Sequence, residues 1–439
     1  MKNLLLITIV FPPEAGGGTI RVAKNAKYLP CHGWSVAVVT STPPKGVTGT
    51  VELPQVRVYR APRLEVIGLL SKCAGALRTL LALLRRPRSG EGGGQRPGPG
   101  QPAVAPRRRL ADYVFIPDDK VIWAPLACLW ALCAVLRHRP GVIYSTSPSP
   151  STHLVGYLVA SVARLPWVIE FRDPWIFNPF RVPRPYGWME RLEQRLEERV
   201  LRRADHVVVT SEEYKRDFLA RYPGLAADRI SFIPNGFDLD DFAEVAPHPF
   251  DRFTIVHTGT FYEARSSVPF LEGVALALSR EPRLAGQLQV VFAGVRDETT
   301  AAAVERLSLQ GVVTQVGVVP HRQSIAYLAG AQLLLLVPGP GDGTMPGKTY
   351  EYLAVRRPIL ALCEEGVVSR LVTSTGSGCV VEPEDVAAIA DAVIACYDAR
   401  STGALERDVA CEAALAQFDR REIARKTARL LDTLVAGRG

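Results

Sequence analysis

The sequence predicts an α/β protein built from two doubly wound domains, each a parallel sheet covered by helices. Apolar runs of strand length recur through the 439 residues, and glycine-rich loops and helical segments follow them in turn. Hydrophobic residues form 47% of the chain and charged residues only 22%, which fits buried parallel sheets. A chain of this length is sufficient for two domains of roughly 200 residues each.

The first predicted strand runs from Asn3 to Val10 and ends in a proline- and glycine-rich loop. Its charged start could also belong to a signal peptide, but the apolar run covers only about seven residues and no small-residue cleavage site follows it. A helix from about Thr19 to Cys31 comes next. Three glycines precede it, and their bare backbone could cradle a phosphate, although they lack the Gly-x-Gly-x-x-Gly spacing of a dinucleotide fold. They are Gly16, Gly17 and Gly18.

Two apolar stretches of the first domain could touch a membrane or simply pack in the fold. Leu64 to Leu84 is about as long as a membrane span, but the basic residues near its middle would each cost a few kcal/mol in a bilayer. An amphipathic helix, packed in the domain or lying on a membrane surface, fits it better. Val121 to Leu136 has a similar composition and could extend the same surface. Between them, residues 87–109 are rich in proline, glycine and arginine, and we interpret them as a disordered insertion.

Two charged residues follow a later strand of the first domain. The predicted strand Trp167 to Phe171 ends in Arg172 and Asp173. The carboxyl ends of strands are where α/β folds place their chemistry, so both residues are candidates for a site. They could equally form a structural ion pair.

The second domain is organised around one strand–loop–helix–strand unit. The apolar run Leu333 to Val337 leads into a proline- and glycine-rich loop, Pro338 to Gly347, and then into a short helical segment carrying Lys348 and Glu351. The next apolar run is Ile359 to Leu362. The right-handed crossover of such a βαβ unit makes its two strands parallel.

Ligands of βαβ units bind beyond the carboxyl ends of the strands, where loops open into helices. Glycine backbone can approach a ligand closely, and the free N–H groups at a helix start attract phosphates. We therefore expect Lys348 to meet a diphosphate and Glu351 to accept hydrogen bonds from sugar hydroxyls. The alternative is a solvated surface pair, since the two residues are three apart on one helix.

This unit resembles the corresponding part of the retaining glycosyltransferases of family 4, which have the two-domain GT-B fold with a cleft between two Rossmann-like domains. The resemblance is carried by Pro346-Gly347-Lys348-Thr349-Tyr350-Glu351-Tyr352-Leu353-Ala354, followed by Arg357-Pro358-Ile359-Leu360. In that family the glutamate holds the ribose of the donor, which implies donor binding by Gly347 and Glu351. One position departs from the family, because Gly343 replaces a glutamate expected eight residues before Glu351.

Further motifs follow the order of the family along almost the whole chain. Gly259 and Thr260 occupy the place of a Gly-Arg pair that binds the donor, and Arg265 occupies the place of a lysine five residues after that arginine. Because Thr260 is uncharged, the resemblance implies that Arg265 and Lys348 carry most of the neutralisation of the diphosphate. We assign these two cations and Asp173 to catalysis.

The resemblance assigns the first domain to the acceptor. The glycines at 16–18 would face the interdomain cleft near the donor diphosphate, and the strand end at Arg172 would line the acceptor side. His153 is a candidate for contacting the transferred sugar, although an isolated histidine is more often structural.

The turn Asn235-Gly236-Phe237-Asp238 marks the passage between domains in the resembled family. We expect a first domain over residues 1–235, a second over 240–415, and a C-terminal helix over 416–439 that packs back towards the first. Asp238-Leu239-Asp240 superficially matches the Asp-x-Asp metal site of the other glycosyltransferase fold. In a linker we interpret it as a chance match.

The resemblance implies a glycosyltransferase of the hexosyltransferase type. It would move a sugar from a nucleotide-diphospho-sugar, UDP- in preference to GDP-, to a saccharide or lipid-linked acceptor with retention. Biosynthesis of cell-surface polysaccharide, lipopolysaccharide included, would be the setting. Cations and helix N-termini would neutralise the leaving diphosphate, so we expect no metal and no other cofactor. Two alternatives stay open: a non-catalytic protein that binds nucleotide-sugars or polyanions, and a GT-B sugar-nucleotide epimerase.

The net charge of +8 could suggest a nucleic acid or an anionic membrane as partner. However, the segment Arg85 to Arg109 holds seven arginines against one glutamate, so the rest of the chain is nearly neutral and we expect no nucleic acid partner. The eight cysteines are scattered, without a Cys-x-x-Cys pair, as in reduced cytosolic proteins. We expect a cytoplasmic protein that could lie peripherally on the inner face of the cytoplasmic membrane.

Overall fold

The computed structural model of the protein describes residues 1–14, 17–44, 55–63, 113–178, 181, 183–261, 265–339, 345–401 and 412–437. Several positions from the sequence analysis lie outside the described residues. They are Gly16, Gly343, the stretch Leu64 to Leu84 and the predicted insertion at 87–109.

The first domain contains a parallel sheet of seven strands in the order β3-β2-β1-β4-β5-β6-β7. Its strands are β1 Lys2–Ile7, β2 Trp34–Ser41, β3 Arg57–Ala61, β4 Val142–Thr146, β5 Trp167–Phe171, β6 His206–Val209 and β7 Ile230–Phe232. Its described helices are α1 Gly17–Tyr28, α2 Ala124–His138, α3 Ser151–Ala163, α4 Gly187–Arg203 and α5 Glu212–Arg221. The strand order reverses between β1 and β4, and such switch points open a crevice at the carboxyl ends of the strands.

The second domain contains a parallel sheet of six strands in the order β10-β9-β8-β11-β12-β13. Its strands are β8 Phe253–Thr258, β9 Leu288–Ala293, β10 Val313–Gln315, β11 Leu333–Leu336, β12 Ile359–Leu362 and β13 Gly378–Val381. The helices are α6 Val268–Arg280, α7 Glu298–Arg306, α8 His321–Gly330, α9 Gly347–Ala354, α10 Val367–Thr375, α11 Val386–Ser401, α12 Glu412–Ala416 and α13 Arg420–Ala436. The order reverses between β8 and β11, so this sheet has its own switch point.

The central strand of each sheet is apolar along its length because helices cover both of its faces. In β1, Leu4 pairs with Val36 on one side and Val142 on the other, and Leu4 is fully buried. In β11 the run Leu333–Leu336 lies between β8 and β12. Continuous burial of this kind explains why these strands read as unbroken apolar runs rather than as alternating patterns.

The element boundaries differ from the predicted ones by a few residues. The first strand ends at Ile7 rather than Val10, and the helix predicted from Thr19 begins at Gly17. The helix ends at Tyr28, after which Leu29–His32 tightens into a 3-10 turn that contains Pro30. Proline cannot donate a backbone hydrogen bond, so the α-helix does not continue to Cys31.

The last helix, α13, packs on the first domain. Ile423, Ala428 and Leu431 are buried in one cluster with Leu4 and Trp34. The interdomain turn runs beside the start of α13. There the amide of Phe237 donates to the carbonyl of Phe418 over 3.0 Å, and the amide of Arg420 donates to the carbonyl of Phe237 over 2.9 Å.

The aspartates of the Asp238-Leu239-Asp240 segment and the following Asp241 form ion pairs and hydrogen bonds across the domain junction. Their partners come from α1 and from α13. The bonds join Tyr28 to Asp238 (2.6 Å), Lys27 to Asp240 (2.8 Å), Lys24 to Asp241 (2.6 Å) and Arg421 to Asp240 (2.6 Å). The hydrogen bonds from Lys27 and Tyr28 lower the pKa of Asp240 to about 2. These carboxylates hold the junction together, which gives them a structural role.

One helical segment in the described part of the chain, Val121–His138, is long and apolar enough to cross a membrane. A third of that window is buried, and its alanines Ala127, Ala131 and Ala134 pack fully against the sheet. The inner side of α2 therefore belongs to the core of the first domain, while its outer side remains apolar.

Candidate functional site

The carboxyl edge of the second sheet is closely packed where β8 and β9 end. A Cβ atom added to Gly294, just after β9, would lie 1.7 Å from the carbonyl oxygen of Gly259, just after β8. Only glycine at 294 allows this approach of two backbones. Thr260 lies beside them, with its hydroxyl 3.4 Å from the amide of Val295. Gly259 and Thr260, the predicted donor-binding residues, thus lie just after the carboxyl end of β8 and next to the end of β9.

Arg265 lies against the loop that follows β11. Its Nε donates to the carbonyl of Pro338 over 2.8 Å. The next residue, Gly339, has a φ of 86°, and a Cβ atom there would lie 2.9 Å from the Nε of Arg265. Glycine at this position lets the guanidinium lie flat on the loop.

Lys348 lies in the first turn of α9, which begins at Gly347. Among the described residues no side chain caps this helix start, and the amide of Thr349 donates to the carbonyl of Pro346 over 3.0 Å. Lys348 is exposed as a residue, yet desolvation by nearby protein still lowers the pKa of its ammonium. A cation of this kind gains most when an anion binds beside it.

The buried ring of His257, in β8, is influenced by the charges of both cations. Its Nδ1 lies 2.9 Å from the carbonyl oxygen of Leu335. Burial is the main cause that lowers the pKa of His257 to about 4, and the charges of Lys348 and Arg265 lower it further. Both cations are therefore near enough to influence the same ring.

Glu351 pairs with a histidine that the sequence analysis did not select. The Nε2 of His321, at the start of α8, lies 3.2 Å from the Oε1 of Glu351. This contact raises the pKa of His321, while the charge of Lys348 opposes the rise. Glu351, Lys348 and His321 thus share one neighbourhood. Neither His257 nor His321 belongs to a motif. In the sequence, only their positions near a strand end and at a helix start could have identified them as site candidates.

At the carboxyl edge of the first sheet, Arg172 connects β4, β5 and the start of α1. It is buried, and its guanidinium donates to the carbonyls of Ser147 and Gly18. A Cβ atom at Gly18 would lie 2.8 Å from the Nη1 of Arg172, so the glycine is needed for this contact. Gly17 is the first residue of α1.

Burial lowers the pKa of Arg172 to about 10 and raises the pKa of the neighbouring Asp173, whose carboxylate remains partly exposed at this edge.

A buried ion pair, which the sequence analysis missed, supports this edge. Arg21 of α1 binds Glu170 of β5, with 2.6 Å between Nη2 and Oε1. Glu170 also accepts from Tyr144 over 2.8 Å and from Thr146 over 2.6 Å. Desolvation alone would raise the pKa of Glu170, but Arg21 and these hydrogen bonds lower it to about 2. Arg21 also reaches Asn235 over 3.1 Å, which joins the edge to the interdomain turn.

His153 lies in the first turn of α3, next to the carboxyl ends of β4 and β5. It is fully buried, its Nδ1 is 2.9 Å from the hydroxyl of Ser145, and its ring centre is 4.6 Å from that of Phe171. Burial lowers its pKa to about 3, so the ring is neutral. The structure therefore places this ring among buried side chains, and the contact with the transferred sugar stays a prediction.

Side-chain contacts join the two domains near these edges. Arg370 of α10 donates to Glu213 of α5 over 2.6 Å, which joins the domains. Tyr350, on the same helix as Lys348 and Glu351, is buried and packs on Phe418, with 5.4 Å between the ring centres. Because Phe418 is bonded to the interdomain turn, the helix that carries Lys348 and Glu351 lies beside the domain junction.

Two family models match the chain, one in each domain. Glycosyltransferase Family 4 matches residues 93–241, and Glycosyl transferases group 1 matches residues 252–399. Together they span well over half of the sequence. The chain belongs to glycosyltransferase family 4.

Solved structures share the fold of this glycosyltransferase over its whole length. Sucrose-phosphate synthase from Thermosynechococcus elongatus is 17% identical with a TM-score of 0.65, and the alignment covers 100% of both chains. HepE of Anabaena in complex with UDP is 15% identical with a TM-score of 0.64, covering 99% of this chain and 100% of the other. A glycosyltransferase from Rickettsia africae is 15% identical with a TM-score of 0.63, covering 99% and 98%. No curated protein sequence matches the chain.

These findings confirm the predicted GT-B architecture of two Rossmann-like domains. Among the described residues, no group of three or more histidine, cysteine or acidic side chains is arranged to hold a metal ion.

Proposed function

We propose that this glycosyltransferase moves a hexosyl group from a UDP-sugar to a saccharide or lipid-linked acceptor, with retention of configuration, in cell-surface polysaccharide biosynthesis. The observation that carries the proposal is that Arg265, bonded to the loop after β11, and Lys348, in the first turn of α9, both lie at the carboxyl end of the second sheet. UDP as the carrier is supported by the structures of HepE, which were solved with UDP, with UDP and glucose, and with UDP-glucose.

In this proposal the two cations stabilise the departing diphosphate. Negative charge grows on the β-phosphate as the glycosidic bond breaks, and fixed positive groups lower the energy of that transition state without reorganising. Arg265 would supply a forked guanidinium and Lys348 a point charge, assisted by the amides of Gly347 and Lys348. His257 stays neutral beside them, so it adds no charge of its own.

Glu351 would hold the ribose hydroxyls of the donor. Its pairing with His321 fixes the carboxylate at the edge, and one oxygen remains to accept from a vicinal diol. The glycine-rich start of α1, held by Arg172, would approach the same diphosphate from the first domain.

Asp173 would serve the acceptor. Burial raises its pKa, which makes its carboxylate a better proton acceptor than an ordinary aspartate when the acceptor hydroxyl attacks. We further propose that the reaction needs no metal ion or other cofactor, since Arg265 and Lys348 supply the positive charge. The enzyme would work in the cytoplasm, with peripheral contact to the inner face of the cytoplasmic membrane.

One experiment separates transfer from the two rival functions. The protein is incubated with UDP- or GDP-sugars, with and without lipid-linked acceptors and a chelator, and free nucleoside diphosphate is measured. Acceptor-dependent release of UDP that persists in the chelator is the expected result. Interconversion of the sugars would indicate an epimerase instead, and binding without turnover would indicate a non-catalytic protein.

A further inference from the structure

The outer face of three neighbouring helices of the first domain is unusually apolar. Of the fourteen large hydrophobic side chains that are exposed in the described residues, six lie on α2, α3 and α4. They are Leu129, Leu136, Leu158, Val162, Trp188 and Leu192. Because α2 packs against α3 and α3 against α4, the six side chains form one surface rather than isolated spots.

This surface is distinct from the cleft. The helices α2, α3 and α4 lead into β4, β5 and β6 by right-handed crossovers, which place them on one side of the sheet. The helices α1 and α13 pack together on the other side. The cleft lies at the carboxyl edge of the strands, so a partner covering α2–α4 would leave it open.

A groove of about 600 Å³ runs along α4 beside this surface. Its apolar wall consists of Tyr157, Leu192 and Leu196, and its charged wall consists of Arg195, Arg199, Arg202, Arg203 and Glu198. Arg202 pairs with Glu198 over 2.6 Å, and Arg203 donates to the carbonyl of Ala160 over 3.1 Å. Within the described ranges, Arg195 and Arg199 form no hydrogen bond or ion pair.

Apart from Glu198, which pairs with Arg202, two further acidic residues of α4 are turned inwards. Glu193 is fully buried and binds Arg181 and Arg184. Glu197 is buried on the same side of α4 and accepts from the hydroxyl of Tyr222. As a result, the outward stripe of α4 combines unpaired arginines with a tryptophan and leucines.

We propose that the outer face of α2–α4 docks the enzyme on an anionic phospholipid bilayer, with lipid phosphates in the groove at Arg195 and Arg199. An interfacial helix of this kind places basic side chains among the head groups and its Trp and Leu side chains at the boundary with the acyl chains. The guanidinium fork matches a phosphate in shape and charge. A nucleic acid would satisfy the arginines but would leave Leu136, Leu158 and Val162 in water, so a bilayer is the better occupant.

The test is flotation of the full chain with vesicles, without donor or acceptor, so that its result does not depend on the proposed reaction. Vesicles of phosphatidylcholine alone are compared with vesicles of equal parts phosphatidylcholine and phosphatidylglycerol. The wild type should bind only the anionic vesicles. The double variant Arg195→Gln/Arg199→Gln should bind them at least about tenfold more weakly, because each basic residue near the surface contributes separately to binding.

The matched control is Lys426→Gln/Arg429→Gln, which removes the same charge from α13 on the other side of the sheet. It should bind as the wild type does, and Trp188→Ala should bind more weakly at any salt concentration. Circular dichroism checks that each variant is folded. Absence of vesicle binding by the wild type would overturn the proposal and leave the face to a protein partner. Equal losses in the α4 and α13 variants, or no loss in the α4 variant, would also overturn it.

Discussion

At the scale of single residues, the charge at the second-domain edge comes from two cations and a neutral histidine. The pKa of His257 is about 4, so the ring is uncharged at neutral pH. Arg265 and Lys348 therefore provide the positive charge at this edge. The neighbouring Glu351 is paired with His321. Removing any one charged group should change donor binding measurably, since the others cannot move to replace it.

We predict that Arg265→Ala and Glu351→Ala each lower kcat/KM for the nucleotide-sugar by at least about tenfold, equivalent to about 1.4 kcal/mol. The first removes a contact to the diphosphate and the second a contact to the ribose. Steady-state kinetics with UDP-sugar measure the effect. Arg280→Ala is the control, since Arg280 pairs with Asp391 on the surface of the second domain. Wild-type rates in both site variants would refute the assignment.

The pairing of His321 with Glu351 predicts a pH-dependent stability. The folded-state pKa of His321 is raised above its ordinary value of 6.5, chiefly by the hydrogen bond to Glu351. A raised pKa stabilises the folded state fully below about pH 6.5, and this contribution disappears as the pH rises through the folded-state value. The difference in unfolding free energy between wild type and His321→Gln should therefore shrink with rising pH between about 6 and 8. A difference that stays constant across this range would contradict the pairing.

Arg265, Lys348 and Glu351 could be predicted as site residues from the sequence because each belongs to a motif at a strand or helix end. His321 could not be predicted, since the partner Glu351 is thirty residues away and spacing does not encode the contact. The burial of His153 was hidden for the same reason, because Ser145 and Phe171 approach it only in the folded sheet.

At the scale of elements, the interdomain turn depends on a glycine. A Cβ atom at Gly236 would lie 1.9 Å from the carbonyl oxygen of Phe418, which is backbone and cannot rotate away. We predict that Gly236→Ala destabilises the protein by roughly 2 kcal/mol, because the turn must separate from the start of α13. Denaturant unfolding measures this difference.

Gly224→Ala is the matched control for that substitution, because a Cβ atom at Gly224 would meet nothing within 4 Å. It should leave the stability nearly unchanged. If the two variants were equally stable, the turn would not pack against the start of α13 as described.

The strands could be predicted from the sequence because buried parallel strands are continuous apolar runs, as β1 and β11 are. Helix ends were less accurate, since the transition at Leu29–His32 depends on local turn geometry. The roles of Asp238 and Asp240 depend on lysines more than two hundred residues earlier in the chain, which no local pattern reveals.

At the scale of the whole molecule, the C-terminal helix and the interdomain turn join the two domains. The starts of α1 and α9 each follow the carboxyl end of a central strand of their own sheet. The GT-B fold was predictable from motif order, whereas the apolar surface on α2–α4 required the folded arrangement of three helices.

The most direct test of the account compares the affinities of UDP and uridine by titration calorimetry. The wild type should bind UDP much more tightly than uridine, because the diphosphate contacts Arg265, Lys348 and the start of α9. The double variant Arg265→Ala/Lys348→Ala should lose most of that preference while its affinity for uridine stays the same. A double variant that still prefers UDP as strongly as the wild type would contradict the diphosphate site.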